Sequence, residues 1–198
     1  EIRGAGNLLG PEQSGYLMSV GYDMYLKLLE EAVLEERGET PVRTEEVTAD
    51  LVISANIPSY YVPAAEQRMD LYRRIAKIRK ERDADDVVDE LIDRYGDPPR
   101  AVNNLISVAL LRSAASDCGI QDIAQTGMTL RFTLKDFDTR QITKVSDFPA
   151  FRNRVSMTSD KQDRPVLALK LKAKEDPLVW AKKLVQEYAN AAAQKKEG

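Results

Sequence analysis

The residues of this chain best suited to chemistry are charged, and they come in two blocks. Asp83, Asp85, Asp86, Asp89, Glu90 and Asp93 follow one another with no base among them. At 100° per residue, Asp86, Asp89, Glu90 and Asp93 occupy about a third of a helix circumference. They project opposite Val87, Val88, Leu91, Ile92 and Tyr95. Such a face is either solvated surface or a docking surface for basic side chains. A single exposed ion pair contributes about 0–1 kcal/mol, but several in one complementary patch select a partner. The second block, Arg68, Arg73, Arg74, Lys77, Arg79, Lys80 and Arg82, is basic. It has three available roles: touching DNA phosphates, pairing with the acidic helix that follows, or staying in water. Tyr72 is the only aromatic residue among these bases, which argues against stacking on single-stranded bases.

Other chemistries lack their residues. The chain contains no His, so the commonest general base, the commonest zinc ligand and every Ser-His or Cys-His pair are missing. One cysteine, Cys118, excludes an internal disulfide and cannot build a metal site alone; a buried structural thiol is expected. No G-x-x-x-x-G-K-[ST] phosphate loop and no acidic D-E-x-H motif occur. We therefore expect no catalytic residue, no metal and no cofactor within these residues. The 29 Lys and Arg against 32 Asp and Glu give a net charge of −3, which favours a protein partner over broad phosphate binding. No apolar run approaches the ~18 residues of a membrane span, and nothing resembles a signal peptide, so a cytoplasmic location is expected.

The elements that must position these blocks follow from periodicity. Residues 1–15 hold Gly4, Gly6, Gly10, Gly15 and Pro11 and read as a loop. Tyr22, Tyr25, Leu26, Leu29 and Val33 mark an amphipathic helix that Gly38 can end. The polar stretch 38–46 reads as a linker. From Val47 the period becomes two, and Val47, Ala49, Leu51, Ile53, Ala55 and Ile57 predict a half-buried strand that Pro58 stops. Three helices should follow: one after Pro63 with Leu71, Tyr72, Ile75 and Ile78 inward; one capped by Asp83 and closed by Gly96; and one carrying Val102, Leu105, Ile106, Ala109 and Leu110. A hairpin is expected around Thr126-Gly127, joining a strand at 120–125 to one at 128–134. A short helix at 146–154, a strand at 166–172 and a closing helix from Asp176-Pro177 complete the pattern. The fold class is α+β, with a three-helix middle and a small antiparallel or mixed sheet. The expected organisation is residues 1–37, a linker at 38–46, a domain at 47–193 and a frayed tail at 194–198.

The opening reads R-G-x-G-x-L-L-G-x-x-Q-S-G from Arg3 to Gly15. It resembles the segment after the last helicase motif in two related bacterial DNA translocases, the RecG-like helicases and the transcription-repair coupling factors. With no initiator Met before it, the motif implies the tail of a larger protein, cut inside a motor domain. In that family the segment couples ATP hydrolysis to movement along duplex DNA, and an Arg and a Gln at the places of Arg3 and Gln13 link the helicase motifs to the DNA-gripping hairpin. Arg brings a rigid fork of donors; Gln both donates and accepts.

The remainder is similar to the carboxy-terminal domain of the transcription-repair coupling factors. The matching stretches are R-M-D-L-Y-R-R-I-A at 68–76, E-L-I-D-R-Y-G at 90–96 with Pro98-Pro99 after it, and Leu110-Leu111-Arg112 leading to Cys118-Gly119-Ile120. The resemblance implies a regulatory module that folds back on a UvrB-like amino-terminal region of the same protein and hides the surface recruiting UvrA. It implies that Glu90 and Asp93 belong to that closed interface; helix geometry extends the set to Asp86 and Asp89. The parent would be an ATP- and Mg-dependent translocase that displaces stalled RNA polymerase, contacts duplex DNA and brings in nucleotide excision repair. The competing expectation is a nucleic-acid-binding accessory domain of a RecG-like helicase.

Overall fold

A computed structural model describes residues 47–193. The opening motif with Arg3, Gly4, Gly6, Gly10, Gln13 and Gly15, the helix expected at 22–37, the linker at 38–46 and the tail at 194–198 lie outside the described residues. Those residues contain five helices and one five-stranded sheet, an α+β arrangement. They divide into two compact units, one of 52–110 and one of 47–51 with 111–193.

The first unit is helical. Helix α1 spans Ala65–Ala76, α2 spans Glu81–Tyr95, and α3 begins at Arg100 and ends at Asp117, with its residues 100–110 in this unit. Leu71, Tyr72 and Ile75 of α1, Ala84, Val87 and Leu91 of α2, and Val102, Leu105 and Ile106 of α3 are buried. Each fully buried Leu or Ile contributes roughly 1.5–3 kcal/mol. Asp83 is expected as the cap of α2, but it sits inside the first turn. There its carboxylate accepts the Arg79 and Lys80 N–H groups at 2.9 and 3.0 Å. These two bonds hold its pKa below the ordinary value.

Two expectations change here. The strand expected over 47–57 ends early: β1 is only Thr48–Asp50. Beyond it, main-chain groups find side-chain partners in place of a ladder. The Ser54 carbonyl accepts the Asn104 amide at 2.8 Å, and the Ile57 N–H donates to the Tyr72 hydroxyl at 2.8 Å. Arg68, placed in the basic face by sequence, is buried instead. Its guanidinium donates to the Val62 and Pro63 carbonyls, each at 2.7 Å, because a loop carbonyl taken from water needs a donor.

The second unit is built on the sheet, in the order β1-β2-β3-β5-β4. Strand β2 is Ile120–Thr126, β3 Thr129–Leu134, β4 Val155–Ser159 and β5 Pro165–Lys170. β1 pairs with β2 in parallel; the other neighbours are antiparallel, so the sheet is mixed. The β2–β3 hairpin turns at Gly127, whose φ of 58° is one that glycine adopts without strain. Helix α4 spans Thr139–Asp147 and α5 Pro177–Ala193, and they pack together. Asp138 caps α4 through the Arg140 and Gln141 N–H groups, and Asp176 caps α5 through that of Leu178. The helix expected at 146–154 is thus displaced toward the amino terminus. Phe148, which precedes Pro149, is extended at φ −58°, ψ 127°, because proline disfavours a helical residue before it.

Candidate functional site

Helix α2 forms because its first turn carries acids against the N-terminal dipole and its apolar residues recur on one side. Ala84, Val87 and Leu91 fix that side to the core. Asp86, Asp89 and Asp93 stand on the opposite side, all exposed, within an arc of about 60°. Ile92 departs from the sequence expectation: it is 45% exposed and flanks the acids. Its azimuth lies next to that of Asp85 and Asp89, well away from the buried stripe. Val88 and Tyr95 are only half-buried.

Glu90 differs from its acidic neighbours. One carboxylate oxygen accepts the Arg94 guanidinium at 2.8 Å; the other pairs with Arg74 of α1. The Glu90 side chain keeps 22% of its exposure. The carboxylate raises the pKa of Arg94, whose guanidinium also lies 5.0 Å over the Tyr95 ring. Tyr95 in turn donates to Gln67 at 3.1 Å and sits 5.8 Å from the Tyr61 ring. The Tyr61 hydroxyl donates to the Gly96 carbonyl at 2.7 Å. The carboxy-terminal end of α2 is therefore held by a chain of polar and ring contacts, and Glu90 is part of it.

Of the four acids singled out in the sequence, three share an open face and one is taken up inside the unit. Arg94 was legible as a partner, four residues after Glu90 on a helix. Arg74 was not, since its approach depends on how α1 meets α2. The basic block is also partly committed. Arg68 is buried, Arg73 pairs with Asp70 at 2.9 Å, Arg74 pairs with Glu90, and Arg79 donates to the Ala76 and Ile78 carbonyls.

No three His, Cys, Asp or Glu groups among the described residues are placed to hold a metal. Burial pushes the Cys118 thiol up to about 11, so it stays protonated and donates to the Ala115 carbonyl. Burial likewise moves the Tyr188 phenol to about 12. No helix among the described residues is long and apolar enough to cross a membrane.

Comparison with known proteins bears on the family and the fold. A family model described as the TRCF domain matches residues 51–145. The transcription-repair-coupling factor of Mycobacterium bovis is 41% identical over 170 residues, covering 79% of this chain and 14% of that protein. That of Staphylococcus haemolyticus is 34% identical over 178 residues, covering 88% of this chain and 14% of the relative. That of Bacillus subtilis is 36% identical over 143 residues, covering 71% and 12%. The chain thus spans 12–14% of the length of these relatives. A crystal structure of the C-terminal domain of transcription-repair coupling factor superimposes with a TM-score of 0.64 at 18% identity, covering 76% of this chain and 96% of that one, and shows the shared fold. The chain belongs to the transcription-repair-coupling factor family and corresponds to its carboxy-terminal domain.

Proposed function

We propose that this region is an autoinhibitory interaction module of its parent protein. The exposed acids of α2 dock on Arg and Lys side chains of a UvrB-like amino-terminal region, and the docked state masks the surface that recruits UvrA. The parent is a cytoplasmic translocase that uses ATP and Mg on duplex DNA to displace stalled RNA polymerase; release of the module then admits the excision-repair proteins. Arg3 and Gln13 transmit the ATP-bound state to the DNA grip, and the described domain performs no catalysis.

The observation that carries the docking role is the availability of three carboxylates. No ion pair among the described residues engages Asp86, Asp89 or Asp93. They stand beside an exposed Ile92, on a helix rigidly fixed at its other side. Clustered charge of one sign selects a partner of complementary charge.

The test uses the intact parent carrying Asp89→Lys and Asp93→Lys, compared with wild type in capture of UvrA without RNA polymerase. Reversal opposes like charges across the closed interface, a stronger disruption than truncation. Capture should rise. Equal, low capture by a folded variant would reduce the acidic face to solvated surface. Tight duplex binding by this region, with affinity falling steeply with salt, would instead favour the accessory-domain reading.

A further inference from the structure

Glu90 lies on the same side of α2 as the three free carboxylates, about 40° from Asp86 and about 60° from Asp93. By azimuth it is the fourth acid of that face. Its charge, however, is already taken. One carboxylate oxygen accepts the Arg94 guanidinium at 2.8 Å, and the other pairs with Arg74 of α1. Two guanidiniums against one carboxylate leave this border of the face with a net positive charge. Asp86, Asp89 and Asp93 have no such cations to displace: no ion pair among the described residues engages them.

The two arginines are held differently. Arg94 belongs to α2 itself, four residues from Glu90, and its guanidinium also lies 5.0 Å over the Tyr95 ring. It keeps its place whether or not Glu90 holds it. Arg74 reaches across from α1, and no other contact among the described residues holds its guanidinium. Its side chain is 49% exposed. A pair this exposed is weak, because water screens the attraction and two long side chains lose freedom in making it. Of the two partners of Glu90, Arg74 is therefore the exchangeable one.

We propose that Arg74 is an internal competitor that weakens docking of the acidic face by occupying Glu90; this rests on the docking role proposed above. A basic side chain of the partner that arrives at Glu90 takes the oxygen Arg74 holds, and Arg74 turns into water. One ion pair is exchanged for another, so Glu90 adds little to docking in the presence of Arg74. The displaced guanidinium also stays near an incoming cation of its own sign, and like charges brought together at an interface oppose association. The three free carboxylates then supply the attraction, while Arg74 keeps it weak enough to be reversed. A module that must later let go of its partner needs such a limit.

The experiment uses the intact parent carrying Arg74→Gln, which removes the charge and keeps a polar side chain; a thermal melt confirms that it folds. UvrA capture without RNA polymerase is followed as salt is raised, relative to the Asp89→Lys, Asp93→Lys parent at the same salt as the undocked reference. Salt screens exposed charges, so wild-type capture should climb toward that reference. At the salt where wild type reaches half of it, Arg74→Gln should capture about threefold less, which corresponds to roughly fivefold tighter docking. The tightening needs the freed carboxylate, so it should be largely lost when Arg74→Gln is made in a Glu90→Gln background. Capture by Arg74→Gln equal to or above wild type, or the same tightening with and without Glu90, overturns the role of Arg74 and leaves the docking reading standing. A parent whose capture responds neither to salt nor to the Asp89→Lys, Asp93→Lys reversal overturns the docking reading itself, and the role of Arg74 with it.

Discussion

Arg74 of α1 and Glu90 of α2 form an ion pair between two helices, and the same carboxylate also holds Arg94. A residue that the family resemblance places at a partner interface is thus already engaged within its own unit. The two roles separate by substitution. Glu90→Lys brings a cation against Arg74 and Arg94, which are 49% and 42% exposed. Solvent screening limits the cost to about 1 kcal/mol. Asp93→Lys meets no such pair and should change stability by less than about 0.5 kcal/mol. Urea unfolding of the two single variants checks this. A Glu90→Lys variant as stable as Asp93→Lys would remove Glu90 from the internal network.

The loop 52–64 depends on two side chains that sequence patterning assigned to other duties. Tyr72 was legible as core, but its hydroxyl also caps the Ile57 N–H. Patterning places Arg68 on a basic face, yet its guanidinium donates to the carbonyls of Val62 and Pro63. Tyr72→Phe should cost roughly 1–3 kcal/mol, and Arg68→Met roughly 2–4 kcal/mol, because each strands buried main-chain groups. Arg68→Lys should recover part of the loss. Thermal melts with intact helical circular dichroism are the measurement. An Arg68→Met variant with wild-type stability would mean that water reaches those carbonyls.

The boundary between what was and was not legible has a physical basis. The three helices of the middle, the β2–β3 hairpin and the closing helix announce themselves through period, caps and a turn glycine, all local in sequence. β1 was overextended because alternation continues past Asp50, while the pairing that defines a strand depends on β2, some seventy residues away. β4 was missed because an edge strand of small polar residues has little apolar alternation to read. At the candidate site, the open acids followed from helix geometry alone. The burial of Arg68, the capture of Glu90 by Arg74 and the exposure of Ile92 come from tertiary packing, which no single helix encodes.

Asp50 provides the clearest dependence on pH. It ends β1 beside β2, whose Asp122 also accepts the Thr48 hydroxyl. Asp50 is exposed as a residue, yet partial desolvation of its carboxyl first, and then the Asp122 charge, raise its pKa above the ordinary 3.8. A raised carboxyl pKa means that the folded state prefers the protonated form. Ionisation therefore opposes folding, and the penalty is present above the folded pKa and vanishes below 3.8. Asn at this place keeps the size and cannot ionise. Asp50 is exposed, so solvent screens most of this penalty, and Asp50→Asn should raise the melting temperature at pH 7 by about a degree or less. The gain should shrink as pH falls through the carboxylate range and disappear near pH 3. Paired melts of wild type and variant from pH 7 to pH 3 decide it. A constant offset at every pH would trace the effect to a hydrogen bond of the amide, and a loss of stability at pH 7 would show that the Asp50 carboxylate is stabilising.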